Sequence, residues 1–226
     1  MNKISLGLYK GLPWLYTRTS FIAKIPEGTK LLDLGCGPMP LYMYYKKFIK
    51  DIKLFGADIS QSKEFPLNVN FVRININKGI EFDDNSFDVI VCSHVIEHLE
   101  NVSFAFQEIS RVLKPGGRIY VEAPSHRSIL FPSFGFVNKK ESVPINFYDD
   151  PTHIRPYSPI ALEQLCRQCG LVVRKSGYAR NWLAVFSSIL FFPLAIILRK
   201  RSFLVNSLWH IFGWSSFVEA YKVKND

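Results

Sequence analysis

The strongest constraint on the fold of this chain is the alternation of short apolar runs with longer segments of helical periodicity. The apolar runs are residues 29–34, 53–57, 70–74, 87–92, 118–123, 171–176 and 217–223. Runs of this length and character are typical of strands covered on both faces. Segments with helical spacing, such as residues 41–50, 97–113 and 159–168, lie between several of them. Because parallel strands need crossover connections, the pattern predicts an α/β fold, a doubly wound sheet with helices on both faces.

Length and composition favour one domain and an anionic partner. The 226 residues suffice for one full core, and 48% hydrophobic and 21% charged residues are close to the globular average. With 28 Lys and Arg against 19 Asp and Glu, the net charge is +9, which favours nucleic acid, an acidic membrane surface or a phosphorylated substrate. No continuous apolar run precedes Pro13, so we expect a cytoplasmic chain with reduced cysteines. Cys166 and Cys169 lack a second ligand pair and are interpreted as helix positions.

A glycine-containing turn follows the first apolar run. Residues 33–37 read DLGCG, and glycines there let the backbone turn sharply and approach a ligand closely. Asp58 comes 21 residues after Gly37, at the end of the second predicted strand, where a carboxylate can accept hydrogen bonds from both hydroxyls of a ribose. The pair predicts a nucleoside site at the carboxyl edge of the sheet. The alternative is an ordinary turn beside a solvated aspartate.

Five signals in this order resemble those of class I S-adenosylmethionine-dependent methyltransferases. They are the DLGCG turn, the acid at Asp58, the stretch FDDNSFDVIVCSHVIEHLEN, the run EISRVLKPGGRIYVEAP and the later HIRPYSP, and together they cover roughly residues 29–177. The resemblance implies a Rossmann-like sheet of seven strands in the order 3-2-1-4-5-7-6, with strand 7 antiparallel. It also implies S-adenosylmethionine as the cofactor and S-adenosylhomocysteine as the product.

The resemblance also implies a set of residues that bind this cofactor. The set is Asp33, Gly35, Cys36, Gly37, Asp58, Ile59, Asn75, Ile76, Ser93 and His94. Gly35 and Gly37 would pass under the methionine part, Asp33 would help to hold its amino group through water, and Asp58 would take the ribose hydroxyls.

Beyond the third and fourth strands, the resemblance puts Asn75 and Ile76 beside the adenine, and Ser93 and His94 beside the sulfonium and its methyl group. Two positions depart from the family pattern. Met39 stands where a third glycine is usual, which affects how closely the helix can approach the cofactor. Asn75 stands where Asp is frequent, and its carbonyl oxygen can still accept from the adenine amine.

The candidate catalytic residues lie in a loop after the fifth strand. Residues 150–157, DPTHIRPY, resemble the acceptor-side loop of the family. Methyl transfer from a sulfonium needs placement, exclusion of water and, for a hydroxyl acceptor, a base. We therefore select His153, with Tyr157 near it, as lining or base residues. The alternative for His153 is a role in packing the loop.

The same part of the chain contains a pattern typical of zinc proteases. Residues 94–98, HVIEH, match the inverted zinc motif, in which two histidines on one helix face bind the metal and a glutamate acts as base. Because His94 comes directly off a buried strand, where a helix is only starting, we expect this motif not to bind zinc. The sequence therefore predicts no metal site.

A hydrophobic segment follows the sixth strand. Residues 182–198 carry no charge, residues 199–201 are basic, and residues 203–214 are again apolar. A single membrane crossing is incompatible with a sheet that continues on both sides of this segment, and a hairpin would put the basic residues on the far side. We therefore expect residues 181–214 to dock in plane on an anionic membrane surface, on the inner face of the cell membrane. The alternative is a pair of helices that cover the sheet or form an oligomer contact.

Residues 1–226 are thus predicted to form one methyltransferase domain. Its expected parts are an N-terminal lid helix (1–25), the cofactor-binding core (29–177), a hydrophobic helical insertion (181–214) and a last strand (216–224). The expected acceptor is a small molecule, hydrophobic or lipid-linked. Two alternatives stay open: a nucleic-acid methyltransferase or binder, disfavoured because basic residues are scattered, and an inactive membrane-surface protein that keeps the fold.

Overall fold

Seven strands form one sheet in the order β3-β2-β1-β4-β5-β7-β6. The strands are β1 (Lys30–Leu34), β2 (Lys53–Asp58), β3 (Asn70–Arg73), β4 (Phe87–Ser93), β5 (Leu113–Pro124), β6 (Leu171–Tyr178) and β7 (Ser215–Lys222). Strand β7 is antiparallel to β5 and β6, and the other pairs are parallel. The structure, a computed structural model, describes residues 12–39, 41–60, 65–67, 69–133, 146–197 and 201–224. The predicted strand order and orientation are confirmed.

Six α-helices connect and cover the strands in the described part of the chain. They are α1 (Thr17–Ile22), α2 (Tyr42–Phe48), α3 (Val102–Val112), α4 (Pro159–Gln168), α5 (Trp182–Ile197) and α6 (Arg201–Phe212). The predicted cap of α4 is confirmed, since the Ser158 hydroxyl accepts from the Ala161 N–H. The insertion between β6 and β7 consists of α5 and α6, which pack on each other.

The prediction of one continuous helix over residues 97–113 is wrong in its first part. Residues Ile96–His98 form a single 3-10 turn, and Leu99 is extended. Asn101 then caps α3, because its Oδ1 accepts from the Phe104 N–H at 3.0 Å. The stop expected at residues 114–117 is also displaced, since the helix ends at Val112 and these residues already belong to β5.

Two apolar cores cover the two faces of the sheet. Leu31 and Val89 belong to one core, and their chain neighbours Leu32 and Ile90 belong to the other, because successive strand residues point to opposite faces. The first core is closed by α1 and α2, and the second by α3 and α4. Burial on both faces explains why the strands read as continuous apolar runs.

The N-terminal segment lies against the first core as far as it is described. A 3-10 turn at Pro13–Leu15 precedes α1, and Phe21 and Ile22 are buried. The ring of Phe21 lies 5.3 Å from that of Tyr120 on β5. Residues 1–11 of the expected lid helix lie outside the described residues, so the lid stays a prediction, as does the division of the chain into its expected parts.

Candidate functional site

The glycine turn and Asp58 meet at the carboxyl edge of the sheet. The N–H groups of Gly35 and Cys36 donate to the Ala57 carbonyl at 2.7 and 3.1 Å, which fastens the turn to the end of β2. The Gly37 N–H donates to Asp58 Oδ2 at 2.9 Å. The two features that the sequence analysis singled out therefore form one hydrogen-bonded unit at the ends of β1 and β2. Ile59, the next residue, is exposed.

The two glycines of this turn are required for different reasons. Gly35 has φ +73°, and a Cβ on it would lie 2.0 Å from Val95 Cγ2, so any side chain would collide with the segment after β4. Gly37 has φ +48°, and nothing lies within 4 Å of where its Cβ would be. The open space above Gly37 fits a ligand that approaches the backbone of the turn.

Asp33 places a buried carboxylate beside this space. Burial raises its pKa to about 7, against the lowering effects of the Tyr45 hydroxyl and Arg18. Although Tyr45 lies close enough to influence it, Asp33 Oδ2 has no hydrogen-bond partner in good geometry among the described residues. A buried carboxylate with an unused acceptor fits an ammonium group, such as the amino group of a bound methionine moiety.

Met39 and Cys36 turn their side chains into the apolar core. Met39 adopts φ 56°, a region that favours glycine, and its N–H donates to the Cys36 carbonyl at 2.6 Å. Both side chains are buried in the core closed by α1 and α2. Burial raises the pKa of the Cys36 thiol to about 12, so this group stays neutral.

The residues expected beside the adenine follow β3. Asn75 Oδ1 accepts from the Asn77 N–H at 3.1 Å and so caps a 3-10 turn over Ile76–Lys78. Ile76 is buried, whereas Asn75 is partly exposed. The Ile74 N–H donates to the Asp58 carbonyl at 2.9 Å, which holds this segment next to the acid at the end of β2.

Beyond β4, His94 lies between two carboxylates. Its backbone has φ 57°, its Nδ1 lies 3.4 Å from Glu97 Oε1, and its Nε2 lies 3.5 Å from Glu122 Oε1. Burial opposes the charge on this ring, but Glu122 and Glu97 raise its pKa to about 9. His94 is therefore an imidazolium at neutral pH and no base. The hydroxyl of Ser93, just before it, has no hydrogen-bond partner among the described residues.

Glu122 is the centre of this charge cluster. Arg18 on α1 donates to it through Nη2 at 2.8 Å and Nε at 3.2 Å, and the Tyr120 hydroxyl donates at 2.6 Å. Burial opposes its ionisation, but Arg18 and His94 hold the pKa of Glu122 well below its usual range. The N-terminal segment is thus tied to β5 by a buried, bidentate ion pair.

A pocket of about 220 Å³ opens above this cluster. It is lined by Tyr16, Arg18, His94, Glu122, Ala179, Trp209, His210, Trp214 and Ser215. The rings of Trp209 and Trp214 stack with centroids 4.5 Å apart. Two other depressions, of about 410 and 550 Å³, lie at the amino ends of the parallel strands, away from the edge at which such sheets bind ligands.

His153 and Tyr157 lie near the ends of β4 and β5. The Tyr157 N–H donates to the Pro124 carbonyl at 2.8 Å, and its buried hydroxyl donates to the Ile96 carbonyl at 3.4 Å. Burial raises the pKa of Tyr157 to about 12. The His153 ring stacks on that of Phe147 at 4.6 Å, and its Nδ1 donates to the Phe147 carbonyl at 2.7 Å. Neither side chain lines the pocket above Glu122.

Sequence reasoning missed most of the residues that line this pocket. Glu122 had a usable signal, since it is a single carboxylate inside an otherwise apolar strand, where a buried charge is expected to have a partner. Arg18 had none, because it lies in a segment remote from every motif, whereas Trp209 and His210 belong to the hydrophobic segment that was predicted to dock on a membrane and not to line a pocket. Burial lowers the pKa of His210 to about 4, so this ring is neutral.

Fold and site together define a doubly wound α/β protein with a candidate nucleoside site at the carboxyl edge of its sheet. A family described as a methyltransferase domain matches residues 14–176. The chain belongs to this family of S-adenosylmethionine-dependent class I methyltransferases. The cofactor expected from the sequence is confirmed at this level.

Relatives and solved structures agree with this assignment. A ubiquinone biosynthesis O-methyltransferase of Alkalilimnicola ehrlichii is 25% identical over 66% of this chain and 62% of its own length. The chain spans between 37% and 62% of the first four curated relatives that it matches. An S-adenosylmethionine-dependent methyltransferase of Archaeoglobus fulgidus has a TM-score of 0.60 at 19% identity, covering 97% of this chain and 94% of that one. A phosphoethanolamine N-methyltransferase of Haemonchus contortus, in complex with S-adenosyl-L-methionine, has a TM-score of 0.62 at 17% identity, covering 91% and 51%. At these identities the solved structures show the fold alone.

Proposed function

We propose that this chain transfers a methyl group from S-adenosylmethionine to a small acceptor that is hydrophobic or membrane-associated. The observation that carries the proposal is the pocket above Glu122, with its two stacked tryptophans and its charged floor. Aromatic side chains beside precisely placed polar and charged groups are a common lining of small-molecule sites. His94 belongs both to this pocket and to the expected cofactor lining, so the two sites would adjoin.

Each residue of the cofactor side is proposed to bind a different part of S-adenosylmethionine. When bound, S-adenosylmethionine supplies a methyl group that already carries an excellent leaving group. The turn at Gly35 and Gly37 would pass under it, Asp58 would accept from the ribose, and Asp33 would accept from the amino group. No side chain is needed to activate the donor, so the protein acts mainly by placement and by exclusion of water.

For a hydroxyl acceptor, His153 is the proposed base, and because its side chain does not line the pocket above Glu122, this role requires the acceptor to extend from the pocket to the loop of residues 150–157. Its Nδ1 donates to the Phe147 carbonyl, so in the neutral ring the Nε2 lone pair is available to take a proton. Tyr157 has a raised pKa and its buried hydroxyl donates to the Ile96 carbonyl, so it holds the loop in place and cannot act as base. His94 is cationic and His210 is a very weak base, which leaves both of them in binding roles.

The shape of the insertion supports a membrane-associated acceptor. Trp182, Phe186, Leu190 and Ile197 recur at helical spacing along α5 and are 39–75% exposed. Among the described residues, no helix is both long and apolar enough to cross a bilayer. We propose in-plane docking of this face on an anionic membrane of the cytoplasmic side. Residues 199 and 200 of the flanking basic cluster lie outside the described residues.

The acceptor class is tested by incubating the protein with S-adenosylmethionine and a panel of prenylated phenols, phospholipids, lipid-linked sugars and RNA. We expect a product heavier by one methylene unit from a lipidic acceptor. Trp209→Ala should abolish it while S-adenosylhomocysteine affinity stays within about twofold, whereas Tyr221→Ala, an exposed aromatic at the far end of β7, should change neither. Methylation of RNA alone would refute the proposal, as would cofactor binding without transfer to any acceptor.

Docking is tested by co-sedimentation with vesicles of phosphatidylcholine containing phosphatidylglycerol. Phe186→Gln with Leu190→Gln should move most of the protein to the supernatant, because two exposed apolar anchors are lost. Ile160→Gln, an exposed apolar residue on α4, is the control and should sediment like the unchanged chain. If neither variant nor the unchanged protein binds vesicles, the acceptor reaches the pocket without membrane docking.

A further inference from the structure

Three side chains outside the cofactor turn and outside the pocket lie together between the segments that follow β4 and β5. One potential ligand atom of each of Glu97, His98 and His153 lies within 4.8 Å of the others. We propose that these residues bind one divalent transition-metal ion, of which Zn²⁺ is the test case. This departs from the expectation, drawn from the sequence, that no metal is bound, and it does not depend on the proposed methyl transfer.

The first argument is the state of the Glu97 carboxylate. Glu97 is fully buried, and neither of its oxygens has a hydrogen-bond partner in good geometry among the described residues. His94 Nδ1 lies 3.4 Å from Glu97 Oε1, which is an ion-pair distance and not a well-formed hydrogen bond. His94 also forms an ion pair with Glu122. Because the His94 cation is shared with Glu122, it compensates the Glu97 carboxylate only in part, and a metal ion on the open lone pairs would stabilise this buried charge further.

The second argument is that both imidazoles form their hydrogen bonds through Nδ1, while His153 Nε2 makes no hydrogen bond among the described residues and lies 3.8 Å from Asp150 Oδ2. His153 Nδ1 lies 2.7 Å from the Phe147 carbonyl, which can only accept, so Nδ1 carries the proton. His98 Nδ1 lies 2.9 Å from Thr152 Oγ1, whose own proton goes to Asp150 Oδ1 at 2.6 Å. The threonine oxygen must therefore accept, and His98 Nδ1 also carries its proton. In the neutral rings, each Nε2 keeps a lone pair.

These bonds have the form of the outer shell of a metal site. Metal-binding histidines usually donate their second nitrogen to a carbonyl or, directly or through another group, to a carboxylate. Here the Phe147 carbonyl accepts from His153, and the Thr152 hydroxyl accepts from His98 and donates to the Asp150 carboxylate. The rings are also packed together, with the centroids of His98 and His153 4.8 Å apart. The ligands are thus oriented before any ion is bound.

The donor set indicates the kind of ion. Two imidazole nitrogens and a carboxylate suit Zn²⁺, Fe²⁺ or Co²⁺, whereas Mg²⁺ and Ca²⁺ prefer oxygen ligands throughout. Ligand atoms around a four-coordinate zinc are about 3.5 Å apart, so these side chains need to close by about 1 Å. With three protein ligands, the remaining position would be open to water or to an oxygen of the acceptor. In the metal-bound form, His153 Nε2 could not also act as a base.

The motif at residues 94–98 enters this site in a different way from a zinc-protease motif. His94 is in a left-handed conformation and precedes a single 3-10 turn, so it does not share an α-helical face with His98. Glu97 would be a ligand here and not a base. The third ligand, His153, comes from a loop 55 residues further along the chain, counted from His98.

The test uses full-length chain without a histidine tag, stripped with a chelator and titrated with Zn²⁺ by calorimetry in the absence of any cofactor. We expect one ion per chain, and His98→Asn and His153→Asn should each weaken binding by about 100-fold or more. His126→Asn, an exposed histidine outside the cluster, should bind like the unchanged protein. Retained S-adenosylhomocysteine affinity shows that the variants are folded.

A milder variant keeps the test valid if the histidine variants fail to fold. Thr152 is exposed, and Thr152→Val removes the hydroxyl 2.9 Å from His98 Nδ1 but keeps the Thr152 carbonyl at 3.3 Å from the same atom, so Zn²⁺ affinity should fall by about tenfold and not more. The proposal is overturned if the stripped protein binds no Zn²⁺, if Thr152→Val and the histidine variants bind it unchanged, or if Mg²⁺ binds as tightly as Zn²⁺. None of these outcomes bears on whether the chain methylates an acceptor.

Discussion

The two sides of the carboxyl edge are built in different ways. On the cofactor side, Gly37 and Asp58 are 21 residues apart and are joined by a hydrogen bond from the Gly37 N–H to the Asp58 carboxylate. On the pocket side, Arg18 and Glu122 are 104 residues apart and are joined by a buried ion pair, beneath tryptophans from a third segment. The cofactor side is thus a local structure, and the pocket side exists only when distant parts of the chain are assembled.

This difference indicates where each side is vulnerable. The turn depends on backbone conformation and close approach, so one added carbon at Gly35 should disrupt it. The pocket depends on balanced charge, since Glu122, Arg18 and His94 compensate one another in a buried environment. The four predictions below separate backbone strain from charge balance, in order of decreasing effect.

The largest effect is expected for Gly35→Val. Its Cβ would meet Val95 at 2.0 Å in addition to the cost of φ +73°, so we expect the free energy of unfolding to fall by about 4 kcal/mol and cofactor binding to be lost. Gly170→Val is the matched control, because it has the same φ with nothing within 4 Å, and it should cost only about 1–2 kcal/mol. Urea unfolding measures the free energy of unfolding, and calorimetry measures cofactor binding. An equal loss of stability in Gly35→Val and Gly170→Val would contradict the role of the close contact with Val95.

On the pocket side, Arg18→Met should lower the free energy of unfolding by about 3 kcal/mol, because it leaves Glu122 buried with only His94 and Tyr120 as partners. Adding Glu122→Gln should restore much of this loss. Lys50→Met, which breaks an exposed pair with Glu27, should cost less than about 1 kcal/mol.

A double-variant cycle in urea gives the coupling energy of the Arg18–Glu122 pair. A coupling near zero would mean that the pocket side is held by apolar packing and not by charge.

Asp58→Ala tests the contribution of one carboxylate to cofactor binding without adding backbone strain. The loss of hydrogen bonds to a charged acceptor should weaken S-adenosylhomocysteine binding by about 2 kcal/mol, or roughly 30-fold. Asp83→Ala, at an exposed aspartate, should bind normally. Unchanged affinity in Asp58→Ala would refute the assigned cofactor site.

The smallest effect is the pH dependence of Asp33. Its pKa in the folded state is raised to about 7 from an ordinary value near 3.8, so its ionisation destabilises the fold as the pH rises between these values. The stability that Asp33→Asn gains over the unchanged protein should therefore be larger at pH 8 than at pH 5 by about 1–2 kcal/mol, and the variant should bind the cofactor less well. If the difference in unfolding free energy between Asp33→Asn and the unchanged protein does not change with pH, the pKa of Asp33 is not raised in the folded state.

Much of the cofactor side could be predicted because its signals are local. The turn at Gly35 and Gly37 and its neighbour Asp58 follow from apolar runs and turn residues that can be read in order, and the strand order was implied by the resemblance of these motifs to a known family. The start of α3 could not be predicted as well, because the helical periodicity of residues 97–113 conceals that Asn101 captures the Phe104 N–H and begins the helix there. Periodicity reports which side of an element is apolar and does not report where the backbone bonds begin.

The sequence alone determined the fold class and the positions that follow each strand, because these depend on short-range patterns of burial and turning, and the resemblance of its motifs to a known family implied the cofactor. Only the tertiary structure decided which side chains meet across the loops. Arg18 reaches Glu122, and His153 reaches Glu97 and His98, through loop conformations set by packing between distant segments. Such contacts carry no periodic signal along the chain, since they depend on the simultaneous placement of several elements around one edge of the sheet.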